Sequence, residues 1–140
     1  MIRTNLSIAA EILRREIKQM IPEAAGPLPT IPENQRQQTH VDVDVDEDTY
    51  GNKNYTGSLL EIKCTQLSKA MGVGEKDWGY RVTHFPGNTT IKNDRKEMYL
   101  VPLSKGFILT PGGLLSEGTY TYVTHDMVIS EGTAVFIVSE

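Results

Sequence analysis

The sequence predicts a mainly β fold, a small antiparallel β-sandwich or barrel preceded by an N-terminal amphipathic α-helix and an extended proline-rich arm. Three observations carry that expectation. The first twenty residues have helical spacing, Pro22, Pro27, Pro29 and Pro32 fall within eleven residues, and from Val41 onward short β-rich runs alternate with turn residues. The chain is therefore expected to divide into a helix over 1–21, an arm over 22–39 and a β domain over 40–140.

In the helix, Leu6, Ala9, Leu13, Ile17 and Met20 step by three or four residues, and Ile12 and Ile21 widen the stripe. Glu11, Arg14, Arg15 and Lys18 lie mostly off it. Thr4 or Asn5 can supply the N-cap oxygen, and Pro22 ends the helix by restricting Ile21 and removing a donor. About sixteen residues is marginal for an isolated helix in water, so the apolar stripe must dock, either on the chain's own β domain or on a neighbouring subunit.

The arm has no hydrophobic periodicity and ends in the polar run Glu33-Asn34-Gln35-Arg36-Gln37-Gln38. In polyproline II geometry it would reach on the order of 50 Å, more than the width of so small a domain, which suits a segment laid along a partner. Pro27, Pro29 and Pro32 are its expected contact points.

His40 to Asp46 alternates strictly, which places valines on one face of a strand and Asp42, Asp44 and Asp46 on the other. An EF-hand loop is excluded, because Gly at its sixth position and Glu at its twelfth are both missing. The carboxylate row reads as the wet face of an edge strand or a contact for a basic partner surface. Tyr50 to Tyr55 is a turn cluster and Ser58–Leu67 reads as the strand that completes a hairpin, with a brief helical turn over Gln66–Met71. Further strands are expected at Tyr80–Phe85, Glu97–Leu103, Gly106–Thr110, Thr119–Thr124 and Thr133–Val138.

Catalytic signatures are lacking. His40, His84 and His125 are the only groups that titrate near neutrality unperturbed, and none belongs to a nucleophile or zinc motif. Cys64 is the single cysteine, so no intrachain disulfide forms, and a buried inert thiol is expected. Gly72-Val73-Gly74 lacks the third glycine and the βαβ context of a dinucleotide loop. The reading is therefore of a non-enzyme without metal or cofactor. A net charge of −4 and a pI near 5.4 argue against nucleic acid as the main partner. No apolar run approaches the roughly 20 residues of a membrane span, and no signal-peptide segment opens the chain, so a soluble protein made in a cytoplasm is expected.

The terminal run Glu131-Gly132-Thr133-Ala134-Val135-Phe136-Ile137-Val138 resembles the C-terminal strand of the lambda-type head decoration proteins of tailed bacteriophages. The resemblance covers about eight residues and implies a capsid-bound homo-oligomer, a trimer in that family, whose N-terminal arm becomes ordered on the shell. This chain departs from the family in beginning with a helix and in its greater length. The expected function is thus a non-enzymatic virion protein, a capsid decoration or cement protein. Its partners would be other copies of itself and a larger protein assembly, the major capsid or tail protein. Expected contact residues are Leu6, Ala9, Leu13, Ile17 and Met20 of the helix, the three arm prolines, and Asp42, Asp44 and Asp46. A tail or neck connector, or a soluble β-barrel module binding a small ligand, are the alternatives.

Overall fold

The structure, a computed structural model, describes residues 2–21, 43–73, 78–93, 97–110 and 113–139. The elements run β1 (Ile2–Asn5), α1 (Ile8–Met20), β2 (Asp44–Glu47), β3 (Lys53–Thr56), α2 (Ser58–Met71), β4 (Trp78–Phe85) and β5 (Thr89–Ile91). They continue with β6 (Met98–Pro102), β7 (Phe107–Thr110), β8 (Gly113–Leu115), β9 (Thr119–Val123), β10 (Met127–Ile129) and β11 (Gly132–Ser139). Strands form a seven-stranded sheet, ordered β1-β9-β6-β11-β4-β3-β2, and a four-stranded sheet, ordered β5-β10-β7-β8, with every pairing antiparallel. The fold is mainly β with an N-terminal helix, as the sequence predicts.

Strand β11 lies at the centre of the large sheet, between β4 and β6. Its alternation builds two cores at once. Val135 and Ile137 join Val82, Val101 and the helical residues Ala10, Ile17, Ile21, Leu60, Cys64 and Leu67 on one face. Ala134 and Phe136 join Phe85, Leu100, Phe107, Leu109, Met127 and Ile129 on the other, where the small sheet packs. Successive strand residues face opposite ways, so a strand apolar at every position must be buried on both sides. The result is three layers, with helices over the large sheet and the small sheet beneath it. At the start of β11, a Cβ on Gly132 would stand 2.1 Å from Phe107 Cδ2, so no larger residue fits there unless the ring shifts.

Three local expectations are corrected. The helix starts at Ile8, because Ser7 accepts a hydrogen bond from the Ala10 N–H at 3.2 Å and acts as the N-cap in place of Thr4 or Asn5. Ile2–Asn5 instead pairs with β9, whose outer edge would otherwise stay unpaired. Ser58–Leu67 is not a strand but most of α2, a helix ended by Gly72 in the left-handed conformation at φ 71°. The acidic strand therefore forms its hairpin with β3. In the intervening turn, the Asp48 carboxylate accepts the N–H groups of Tyr50 at 2.8 Å and Asn52 at 3.0 Å and the Asn52 Nδ2 at 3.0 Å. Gly51 supplies the positive φ of 84° that the turn requires.

Candidate functional site

The helical layer is a pair of helices, separated in the chain by β2 and β3, that pack in opposite directions. Ser7, at the start of α1, donates from Oγ to the Ala70 carbonyl near the end of α2 at 3.4 Å, and the Glu16 carboxylate meets Lys63 Nζ midway. The inward face of α1 is Ala10, Arg14, Ile17 and Ile21. Ile17 is thus spent inside the chain, Leu6, Leu13 and Met20 are half-buried against the same core, and Ala9 is exposed. The outward face mixes polar residues such as Arg15, Gln19, Glu61 and Gln66 with four large apolar ones. Ile8 is 84% exposed and Ile12 53% on α1, with Leu59 at 40% and Ile62 at 53% on α2.

Arg14, expected off the apolar stripe, is instead buried at the centre of a charge cluster. Its Nη1 donates to Glu117 Oε1 at 2.9 Å, its Nε donates to Glu11 at 3.0 Å, and Lys18 Nζ reaches the same Glu117 oxygen at 2.6 Å. Burial alone would raise the Glu117 carboxyl pKa, but hydrogen bonds and charge from Lys18 and Arg14 outweigh it and hold the group below the usual carboxylate range. Glu11 is lowered mainly by its hydrogen bonds from Arg14. Burial opposes the charge on Arg14, yet Glu11 and Glu117 together raise its pKa. These contacts, with the Leu6 N–H bonded to the Gly118 carbonyl at 2.8 Å, fasten α1 to the β8–β9 turn.

Asp44 and Asp46 lie on β2, an outermost strand of the large sheet, and all four residues of that strand are exposed. Pro27, Pro29, Pro32 and Asp42 lie outside the described residues, as does His40. The Asp46 face of β2 looks into a groove of about 1360 Å³. It opens where β2, β3 and β4 extend past the small sheet, and β5 forms its opposite wall. Its floor is a cross-strand row, Asp46 beside Asn54 beside Thr83, in which Thr83 Oγ1 donates to Asn54 Oδ1 at 2.9 Å. Arg81, Lys92 and the exposed Tyr50 line it as well. Asp46, Arg81 and Lys92 have no ion pair among the described residues.

Cys64 is buried on α2, and burial, aided by the charge of Glu61, pushes its thiol pKa up to about 12, so it is protonated at neutral pH. His84 Nδ1 shares a 2.8 Å hydrogen bond with Thr133 Oγ1, which uses its ring locally. Among the described residues no group of three or more His, Cys, Asp or Glu is placed to hold a metal, and no helix is long and apolar enough to cross a membrane. The sequence reading missed Arg14 with Glu117 and the groove. Each joins residues far apart in the chain, and the one available signal was an arginine one helical turn from Ala10 and Ile17. No protein-family model, curated protein or solved structure matches this chain.

Proposed function

We propose that the protein is a non-enzymatic assembly component, and that the assembly is a virion in which it serves as a capsid decoration protein. The observation that carries this reading is the helix layer, which exposes four large apolar side chains on its outer side in addition to its buried inner face. Ala10, Ile17 and Ile21 hold it to the sheet, while Ile8, Ile12, Leu59 and Ile62 face outward. Apolar side chains exposed on the outer side of an already docked helix stabilise nothing within the chain and lose free energy to water. Buried against a neighbour, Ile8 would contribute roughly 1.5–3 kcal/mol and the half-exposed Ile12, Leu59 and Ile62 about half as much each. The resemblance of Gly132–Val138 to lambda-type decoration proteins supports a capsid as the assembly and further copies of the chain among the partners.

The test is the oligomeric state by sedimentation and mass photometry, on the wild-type chain and on the I8K/I12K variant. Self-association that the double variant abolishes, with an unchanged melting transition, supports the proposal. A strictly monomeric chain that binds no apolar dye through the helix face refutes it.

A further inference from the structure

The large sheet has seven strands and the small one four, and the mismatch is concentrated at one end. There the floor formed by β2, β3 and β4 lies open beside the edge strand β5, which among the described residues pairs only with β10. The hydrogen-bond phase of β5 follows from its neighbours. Ser130 donates its N–H to the Ile108 carbonyl at 2.9 Å, across the β10–β7 side. In an antiparallel strand the backbone groups of alternate residues point to the same side, so Val128 also turns toward β7 while Met127 and Ile129 turn toward β5. Their partners Ile91 and Thr89 point back at them. Thr90, opposite Val128, therefore aims both its N–H and its C=O away from β10, on the side where the groove lies.

We propose that the groove receives an extended strand from a partner protein, paired to β5 through the Thr90 backbone, as a fifth strand of the small sheet. An outward-facing donor and acceptor on an edge strand form a template for such pairing. The lining beneath the added strand is mixed: Asn54 and Thr83, with Asp46 on one side and Arg81 and Lys92 on another, these three without ion pairs among the described residues, stand beside the apolar Phe85, Met98 and Phe136. The occupant is therefore an extended strand that carries charges of both signs, to meet Asp46 and the Arg81–Lys92 side, on a backbone paired to β5. This inference deepens the assembly reading by naming a second contact, and it rests on that reading only in taking the ligand to be a protein.

The experiment uses the full chain, labelled for NMR. The probe is a capped peptide of about eight residues that alternates threonine with valine and carries one lysine and one glutamate among its polar positions. Saturable shifts along β5 and the Asp46–Asn54–Thr83 row, with slowed amide exchange at Thr90, are expected. Thr90→Pro removes the outward N–H together with the threonine side chain, a change that edge strands tolerate, and should weaken binding roughly tenfold. Thr56→Trp, which fills the groove from an exposed position on β3, should abolish binding without touching β5. Absence of shifts at these positions, pairing at β2 or β8 instead, or full affinity in both variants overturns the proposal. So does binding confined to a peptide of residues 22–39, which would assign the groove to the chain's own arm. Self-association through Ile8 and Ile12 is read separately, so loss of peptide binding with association intact removes this inference alone.

Discussion

Beneath the helices, the central sheet is covered by aliphatic side chains together with Tyr55, Trp78, Tyr80, Tyr99 and Tyr120, and is tethered at one margin by charges. Its other face is covered by Phe85, Phe107 and Phe136 with Met98 and Met127 and is closed by close packing. Phe85 and Phe136 meet edge to face with ring centroids 5.8 Å apart, a geometry that aromatic quadrupoles favour. The sheet-to-sheet core thus depends on shape, which pH does not alter. On the helix side, α1 depends also on the Glu11–Arg14–Glu117–Lys18 cluster, whose carboxylates titrate. One face of the sheet is therefore held by packing and the other partly by titrating charges, and apolar side chains are left exposed on both outer surfaces: Ile8, Ile12, Leu59 and Ile62 on the helices, Ile108, Leu114 and Val128 on the small sheet.

The largest expected effect falls on the packed face. Phe136→Ala should destabilise the fold by about 3–5 kcal/mol, since it leaves a cavity among rings that the sheet backbone holds apart. Denaturant melts would show it as a lower midpoint, and a loss under about 1 kcal/mol would mean that the layer collapses to refill the space. Next comes the charged margin. Glu117→Ala strands Arg14 with Glu11 as its remaining partner and should cost about 2–3 kcal/mol, below the full penalty of an unpaired buried charge.

The same cluster sets an acid dependence. Glu11 and Glu117 have folded-state pKa values below their unfolded ones, so their contribution is complete above the unfolded value near 4.3. It is lost as pH falls through the lowered folded values. Acid titration of stability should therefore fall more steeply below about pH 4.3 in the wild type than in Glu117→Gln. Parallel curves for the two would count against the cluster as the sensitive element.

A smaller effect is expected at the turn that meets α1. Gly118 has φ +87°, and a Cβ there would lie 3.1 Å from Glu11 Oε2, so Gly118→Ala should cost about 1–2 kcal/mol from backbone strain alone. Calorimetry on that variant separates strain from charge, because the cost should persist in high salt. Smallest of all, Ile8→Ser and Ile12→Ser should change monomer stability by no more than about 0.5 kcal/mol, since both side chains face water. A larger loss from either would place that residue inside the fold and remove the basis for an outer contact face.

Most of the fold was legible because strand alternation and turn residues are local signals. Strands at Tyr80–Phe85, Thr119–Thr124 and Thr133–Val138 appear within two residues of their expected bounds as β4, β9 and β11. The acidic row appears as an exposed edge strand, one of the two environments read for it. Ser58–Met71 was ambiguous for a physical reason. Leu60, Ile62 and Cys64 alternate with Glu61, Lys63 and Thr65 at strand period, yet Leu60, Cys64, Leu67 and Met71 also repeat at helix period. Leu60 and Cys64 satisfy both, and only the fourteen-residue span, closed by Gly72, selects the helix.

What the sequence determined by itself, then, is whatever depends on neighbours a few residues away. That includes the amphipathic helix, the strand periods, the turn at Gly51 and the isolated cysteine. Tertiary structure alone decided which side of α1 is buried, since Arg14 can go inside only when Glu117, more than a hundred residues on, arrives to neutralise it. It also decided the groove, where Asp46, Asn54, Thr83 and Thr90 come together through strand register and sheet stacking. Long-range pairing is set by the global packing of two sheets of unequal width, and no local propensity encodes which edge of the smaller one is left open.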